Sequence, residues 1–153
     1  MNLSDEAQAY EDFVNGLKTN YPEMYGDVYC GISIGAGWYN IIQLLSKAIH
    51  SHVRHVNGRR EWLLKRDNPD GEEIPDEMEY PQVAQIKEKF GGLRFYYDGG
   101  DDYIAGLVTM AEYVADSTCE KCGAPGKRRD GGWVRTLCDV HEAEHQAKIA
   151  QRS

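Results

Sequence analysis

Cys119 and Cys122 stand two residues apart, Cys138 and His141 stand two residues apart, and fifteen residues separate the pairs. This C-x2-C-x15-C-x2-H spacing is that of two knuckles closing on one tetrahedral zinc, three thiolates and an imidazole supplying the donors. A two-residue gap lets the chain curl so that both donors of a pair point at the same ion. Gly123 relieves the crowding after the second cysteine, and Gly126, Gly131 and Gly132 suit a short loop or hairpin carrying Trp133 and Val134. His145, one helical turn beyond His141, is the alternative fourth ligand. Four protein donors leave no position for water, so the expected cofactor is one structural Zn2+ per chain. Structural zinc contributes on the order of 10–16 kcal/mol in small modules, enough to fold a short tail with little core of its own. A disulfide is the weaker reading for a chain with no secretion signal.

The elements that must position this cluster follow from periodicity. Ser4 is a candidate helix N-cap, with Tyr10, Phe13, Val14 and Leu17 at helical spacing and Pro22 marking the exit. Val28 to Ile34 reads as extended, ending in Gly35-Ala36-Gly37. Trp38, Ile41, Ile42, Leu45, Ala48, Ile49 and Val53 form one stripe, predicting a main core helix from about Trp38 to Val56, broken at Asn57-Gly58. Arg59 to Arg66 is a candidate strand, Asn68 to Gly71 a turn, and Glu72 to Glu79 an acidic exposed loop. Val83 to Asp98 predicts a β-hairpin turning at Gly91-Gly92, with Phe90 opposite Leu93, Glu88 opposite Phe95, and Ile86 opposite Tyr97. Ile86, Phe90, Leu93, Phe95 and Tyr97 then share an apolar face, and Lys87, Lys89, Arg94 and Tyr96 a cationic one. Asp101-Asp102 opens a third helix whose buried stripe is Ile104, Leu107, Val108, Ala111, Val114 and Ala115. The fold class is α+β: helices packed on a small antiparallel sheet or hairpin, followed by a zinc-ribbon-like module ending in a helix.

Other side chains invite chemistry less specifically. Gly31, Gly35 and Gly37 precede a helix, where backbone amides and the helix dipole can hold an anion, and with Trp38 they form one candidate ligand site. They lack the Gly-Lys-Ser/Thr ending of a P-loop, and packing of Trp38 is the simpler reason for the glycines. The face of Lys87, Lys89, Arg94 and Tyr96 is the second candidate, since phosphates pair with Lys/Arg and bases stack on aromatics. Glu88, on the apolar hairpin face, needs a partner, and Arg135 or Arg94 is the expected one. Cys30 is a lone thiol. His50, His52 and His55 line the core helix, and His52 with His55 has metal-binding spacing, but no Ser or Asp completes a triad. No catalytic residue is assigned.

The chain has 153 residues with 17 Lys+Arg against 25 Asp+Glu, a net charge of −8. Bulk DNA coating is excluded by that balance. The charge is uneven. Residues 1–118 carry 10 basic and 20 acidic side chains, and residues 119–153 carry 7 and 5, so an acidic body (1–118) precedes a mildly basic zinc module (119–153). No run approaches the ~20 apolar residues of a membrane span. The N-terminus has no basic-then-apolar segment, and a cytoplasmic location is expected.

Four segments together carry a resemblance: Cys30 to Tyr39, Gln85-Ile86-Lys87-Glu88-Lys89-Phe90-Gly91-Gly92-Leu93-Arg94-Phe95-Tyr96, Thr118 to Gly126, and Gly132 to His141. Over about Tyr21 to Glu142 the chain resembles a family of small phage, prophage and bacterial proteins of unassigned function. The resemblance implies a phage setting, and hence a counter-defence or host-takeover role in the host cytoplasm. With ten tyrosines and three tryptophans to build an interface, the leading expectation is a non-catalytic, zinc-stabilised protein that binds a host protein. The alternatives are a binder or sequestering protein for a nucleotide or other small anion, and an enzyme of unknown class.

Overall fold

The computed structural model describes residues 2–26, 31–68 and 70–152. Cys30, with the first half of the predicted Val28–Ile34 strand, lies outside them. The fold is α+β, built around a mixed three-stranded sheet, with a two-stranded ribbon near the C-terminus.

Helix α1 (Leu3–Asn20) starts at Asn2 rather than at Ser4. The Asn2 side chain accepts the amides of Ser4 and Asp5, and Asp5 reaches back to the Asn2 amide, a reciprocal capping box. Its apolar stripe buries Phe13 and Leu17, and the Phe13 ring stacks on Tyr39 at 4.0 Å. After the short α2 (Pro22–Tyr25) and strand β1 (Ile32–Ser33), a 3-10 turn at Ala36–Trp38 leads into α3 (Tyr39–Lys65). Trp38, Ile42, Leu45, Ile49 and Val53 are buried, so the predicted stripe is the spine of the core. The Tyr25 hydroxyl, itself buried, pairs with Ser46 Oγ at 2.6 Å, and Ser46 donates to the Ile42 carbonyl at 2.7 Å. That chain satisfies two polar groups that would otherwise be costly inside.

Helix α3 does not break at Asn57-Gly58, and the strand expected at Arg59–Arg66 is its last part. The reason is tertiary. Asn57 donates to the Met78 carbonyl at 2.9 Å and accepts the Met78 amide at 2.8 Å. Arg60 donates to the Pro75 carbonyl, Arg59 pairs with Glu72, and Leu63 is buried. These contacts along the extended segment 72–81 outweigh the roughly 1 kcal/mol that glycine costs inside a helix.

Strands β2 (Gln82–Lys89) and β3 (Gly92–Asp98) form the hairpin, and β1 adds to β2 in parallel, so the sheet is mixed rather than wholly antiparallel. The observed partners are Ile86 with Phe95, Glu88 with Leu93, and Lys89 with Gly92. The turn is therefore Phe90-Gly91, not Gly91-Gly92. Both turn residues have positive φ, 53° and 77°, matching the twist of a tight hairpin. From Gln85 to Lys89 each pairing moves by two residues, an even slip, so those side chains keep their expected faces; a bulge between Val83 and Gln85 shifts Tyr97 by one more, onto Val83. Phe90 is the exception: it leaves the apolar face and is 70% exposed. The Glu88 carboxylate selects this turn by accepting the Gly91 amide at 2.6 Å. Its partner is thus a backbone amide, and no ion pair to Arg94 or Arg135 forms among the described residues.

Helix α4 (Asp102–Ala115) is capped by Asp101, which accepts the Ile104 amide at 3.0 Å. It buries Ile104, Val108, Ala111 and Ala115 against the sheet and α3; Leu107 is half-buried and Val114 exposed. Strands β4 (Lys127–Arg129) and β5 (Arg135–Leu137) and helix α5 (Asp139–Ala150) complete the chain.

Candidate metal centre

The first knuckle follows α4 directly. The Cys119 amide donates to the Ala124 carbonyl at 2.8 Å, and the Gly123 amide to the Cys119 carbonyl at 2.9 Å. Gly123 sits at φ 77°, a conformation that a β-carbon would strain. The second knuckle is the junction of β5 and α5. Cys138 is the N-cap of α5, and His141 lies in the helix's first turn.

The four donor atoms of Cys119, Cys122, Cys138 and His141 all lie within 4.8 Å of one another. Cys122 Sγ is 3.8 Å from Cys138 Sγ, and His141 Nδ1 is 3.4 Å from Cys119 Sγ and 3.3 Å from Cys138 Sγ. A tetrahedron with metal–sulfur bonds of about 2.3 Å and a metal–nitrogen bond of about 2.0 Å has edges of roughly 3.8 Å and 3.5 Å. Those three separations match the edges, and the cluster can bind a metal ion. His145 is not part of it; the ligand set is the one with His141.

The surroundings favour thiolate at Cys119. Burial alone pushes the Cys119 thiol up. The amides of Cys138, Cys122 and Lys121, with His141, more than reverse this and bring it to about 6. His141 turns Nδ1 to the sulfurs, and its Nε2 faces Glu144 4.0 Å away, beyond hydrogen-bond distance. Arg129 donates to the Leu137 carbonyl at 3.1 Å and pairs with Asp139 at 2.6 Å, bracing the strand–helix junction that carries Cys138. That ion pair holds the Asp139 carboxyl below the usual range. Neither Arg129 nor Glu144 follows from ligand spacing; their positions are set by ribbon pairing and helix phase.

The knuckle is seated on the body at the glycines before α3. Gly37 donates to the Glu120 carbonyl at 2.8 Å, Gly35 to Glu120 Oε1 at 3.2 Å, and Trp38 Nε1 to the Thr118 carbonyl at 2.8 Å. Of the amides expected to hold an anion, those of Gly35 and Gly37 are thus engaged by Glu120, and Trp38 is fully buried. Burial holds the Glu120 carboxyl above the usual range, with Glu88 adding to the effect and the Gly35 amide opposing it. Beside this seam an open cleft of about 470 Å³ is lined by Tyr10, Ile32, Ser33, Ile34, Glu88 and Glu120.

The hairpin's cationic face exists as expected. Lys87 Nζ lies 5.6 Å from the Tyr96 ring centre, and Arg94, at the position facing Lys87, donates from Nη1 to the Leu93 carbonyl at 2.8 Å. The histidines of α3 go separate ways. His50 packs between Tyr21 and Tyr80, His52 bonds Asp101 at 2.8 Å and stacks on Tyr103, and His55 is exposed. None joins a metal-binding group among the described residues. No helix among those residues is long and apolar enough to cross a membrane.

Compared with known proteins, the chain matches no family model, no curated protein and no solved structure.

Proposed function

We propose that this is a non-catalytic binding protein whose C-terminal module folds around one structural Zn2+, and that it works by docking a protein on the outer face of α4. Three sulfurs and one imidazole at tetrahedral spacing suit zinc, and four protein donors fill its coordination sphere, which favours a structural role.

The observation that carries the binding role is the composition of α4. Its inner side is core, yet its outer side shows Tyr103, Met110, Tyr113 and Val114 at 59%, 63%, 68% and 44% exposure. A helix on a protein surface ordinarily turns charged residues outward. Between Asp102 and Asp116 the only carboxylate or cation is Glu112, and it turns to accept the Phe95 amide at 3.0 Å. A charge-free, tyrosine-bearing face of this kind marks an interface. The family resemblance adds a phage or prophage setting, in which the partner is a host protein in the host cytoplasm.

The test is affinity capture from host lysate with the zinc-loaded chain beside a Met110→Asp/Tyr113→Asp variant. A specific protein should be retained by the parent and lost by the variant. Equal recovery by both would refute the α4 interface, and self-association abolished by the variant would reassign that face to a second copy of the chain.

A further inference from the structure

A second surface, separate from α4, is assembled where the hairpin meets the zinc ribbon. Lys87, Lys89, Gly92 and Arg94 belong to one face of the hairpin, since Lys87 pairs with Arg94 and Lys89 with Gly92. Arg128 reaches this face from β4. Around the point a Gly92 β-carbon would occupy, Arg94 Nη1 lies at 2.9 Å and Arg128 Nη2 at 3.5 Å. Two guanidinium groups therefore converge over one glycine. The nearest acid, Asp116, has Oδ1 at 3.4 Å from the same point, but it forms no ion pair with either arginine among the described residues. Four cations gather here on a chain of net charge −8.

An exposed ring flanks them, and a second stands in the ribbon loop that meets the hairpin tip. Phe90 holds φ at 53°, a region that bulky side chains rarely occupy, and its ring is 70% exposed with Lys89 Nζ at 5.8 Å. The adjoining Gly91 packs against Val134, whose Cγ1 is 3.2 Å from the position of a Gly91 β-carbon. Trp133, next in the chain to Val134, is 67% exposed. The tip is thus held to the ribbon, and the buried Thr136 hydroxyl donates to the Gly91 carbonyl at 2.6 Å. That bond joins the hairpin tip to the strand that leads into Cys138.

We propose that this surface binds a single strand of nucleic acid, with backbone phosphates on Lys87, Lys89, Arg94 and Arg128 and bases stacked on Phe90 and Trp133. Cations beside exposed rings are what a single strand requires. A duplex has its bases sequestered and gains nothing from the rings, and an acidic peptide would engage the cations alone. Screening over about 8–10 Å at physiological salt lets this local set act despite the acidic body.

The test is fluorescence anisotropy of a labelled oligothymidylate of roughly 12 nucleotides with the zinc-loaded full-length chain at low salt. Binding should weaken with salt with a log–log slope of about −2 to −3, as for three or four phosphates on a single strand. Arg94→Ala/Arg128→Ala should make that slope shallower by about 1.4. Phe90→Gly suits the turn's backbone, so the fold is kept. It should weaken binding roughly tenfold without changing the slope. Retained zinc shows that each variant is folded. The proposal is overturned by no binding at low salt, by Phe90→Gly binding like the parent, or by a duplex or polyglutamate competing as well as the single strand.

Discussion

Gly37→Ala probes the seam between the metal module and the body. A β-carbon at residue 37 would stand 2.6 Å from the Gly123 nitrogen and 2.7 Å from the Glu120 carbonyl carbon, and closer still to the Cys119 oxygen. All three are backbone atoms of the first knuckle, so no side chain can swing aside. Ordinary contact needs about 3.5 Å, so the knuckle must retreat by more than about 1 Å, the Cys119 oxygen being the nearest obstacle. Retreat breaks the bonds from Gly37 to Glu120 and from Trp38 to Thr118, both 2.8 Å long. Each is worth roughly 0.5–1.5 kcal/mol, and overpacking adds about 1–3 kcal/mol. The expected loss is about 4 kcal/mol, which for a domain of this size lowers Tm by roughly 8–16 °C. The control is Gly16→Ala in α1, where nothing lies within 4 Å of the new carbon. It should stabilise the helix by about 0.5–1 kcal/mol. Thermal unfolding by circular dichroism at fixed free zinc reads the stability, and the rate of metal transfer to a colorimetric chelator reads the knuckle. If Gly37→Ala unfolds within about 0.5 kcal/mol of the parent and releases metal no faster, the seam does not hold the two parts together.

Elemental analysis should give one zinc per chain, and Cys119→Ser should lose it and expose residues 119–152 to protease; metal retained by that variant would refute the ligand set. Asn57→Ala should cost about 1–3 kcal/mol by stripping both bonds from Met78, and glutamyl endopeptidase should then cut faster at Glu72, Glu73, Glu77 and Glu79. Unchanged cleavage would mean the segment is held by other contacts. Burial pushes the Asp101 carboxyl up, but its bonds to His52 and the Ile104 amide outweigh this and leave it below the ordinary value. The stabilisation it contributes is therefore present above the unfolded pKa and lost as pH falls through the lower, folded one. Asp101→Asn keeps an N-cap residue, so it should be less stable than the parent at about pH 7, and the difference should shrink as pH falls below the ordinary carboxylate range, read from urea midpoints.

Much of this molecule is legible locally. The stripe Ile42, Leu45, Ile49 and Val53 and the capped α4 are where periodicity places them, because an amphipathic helix carries its burial pattern in its own spacing. The hairpin faces are legible for the same reason, since alternation survives an even slip. The turn within it was not, because either Phe90-Gly91 or Gly91-Gly92 supplies glycine. The choice depends on the Glu88 carboxylate and the pressing ribbon. The end of α3 is not legible locally, because Asn57-Gly58 is a stop signal only where nothing bonds Asn57 from outside.

By itself, the sequence determined the α+β composition, the core stripe and the four metal donors, because ligand spacing and hydrophobic period are properties of neighbouring residues. Tertiary structure decided what the glycines before α3 do and where the cations gather. Gly35 and Gly37 leave room for a knuckle more than eighty residues away, and Arg128 joins Arg94 only because the ribbon folds back on the hairpin tip. Such close approaches are set by packing between distant segments, to which no local pattern of residue types is sensitive.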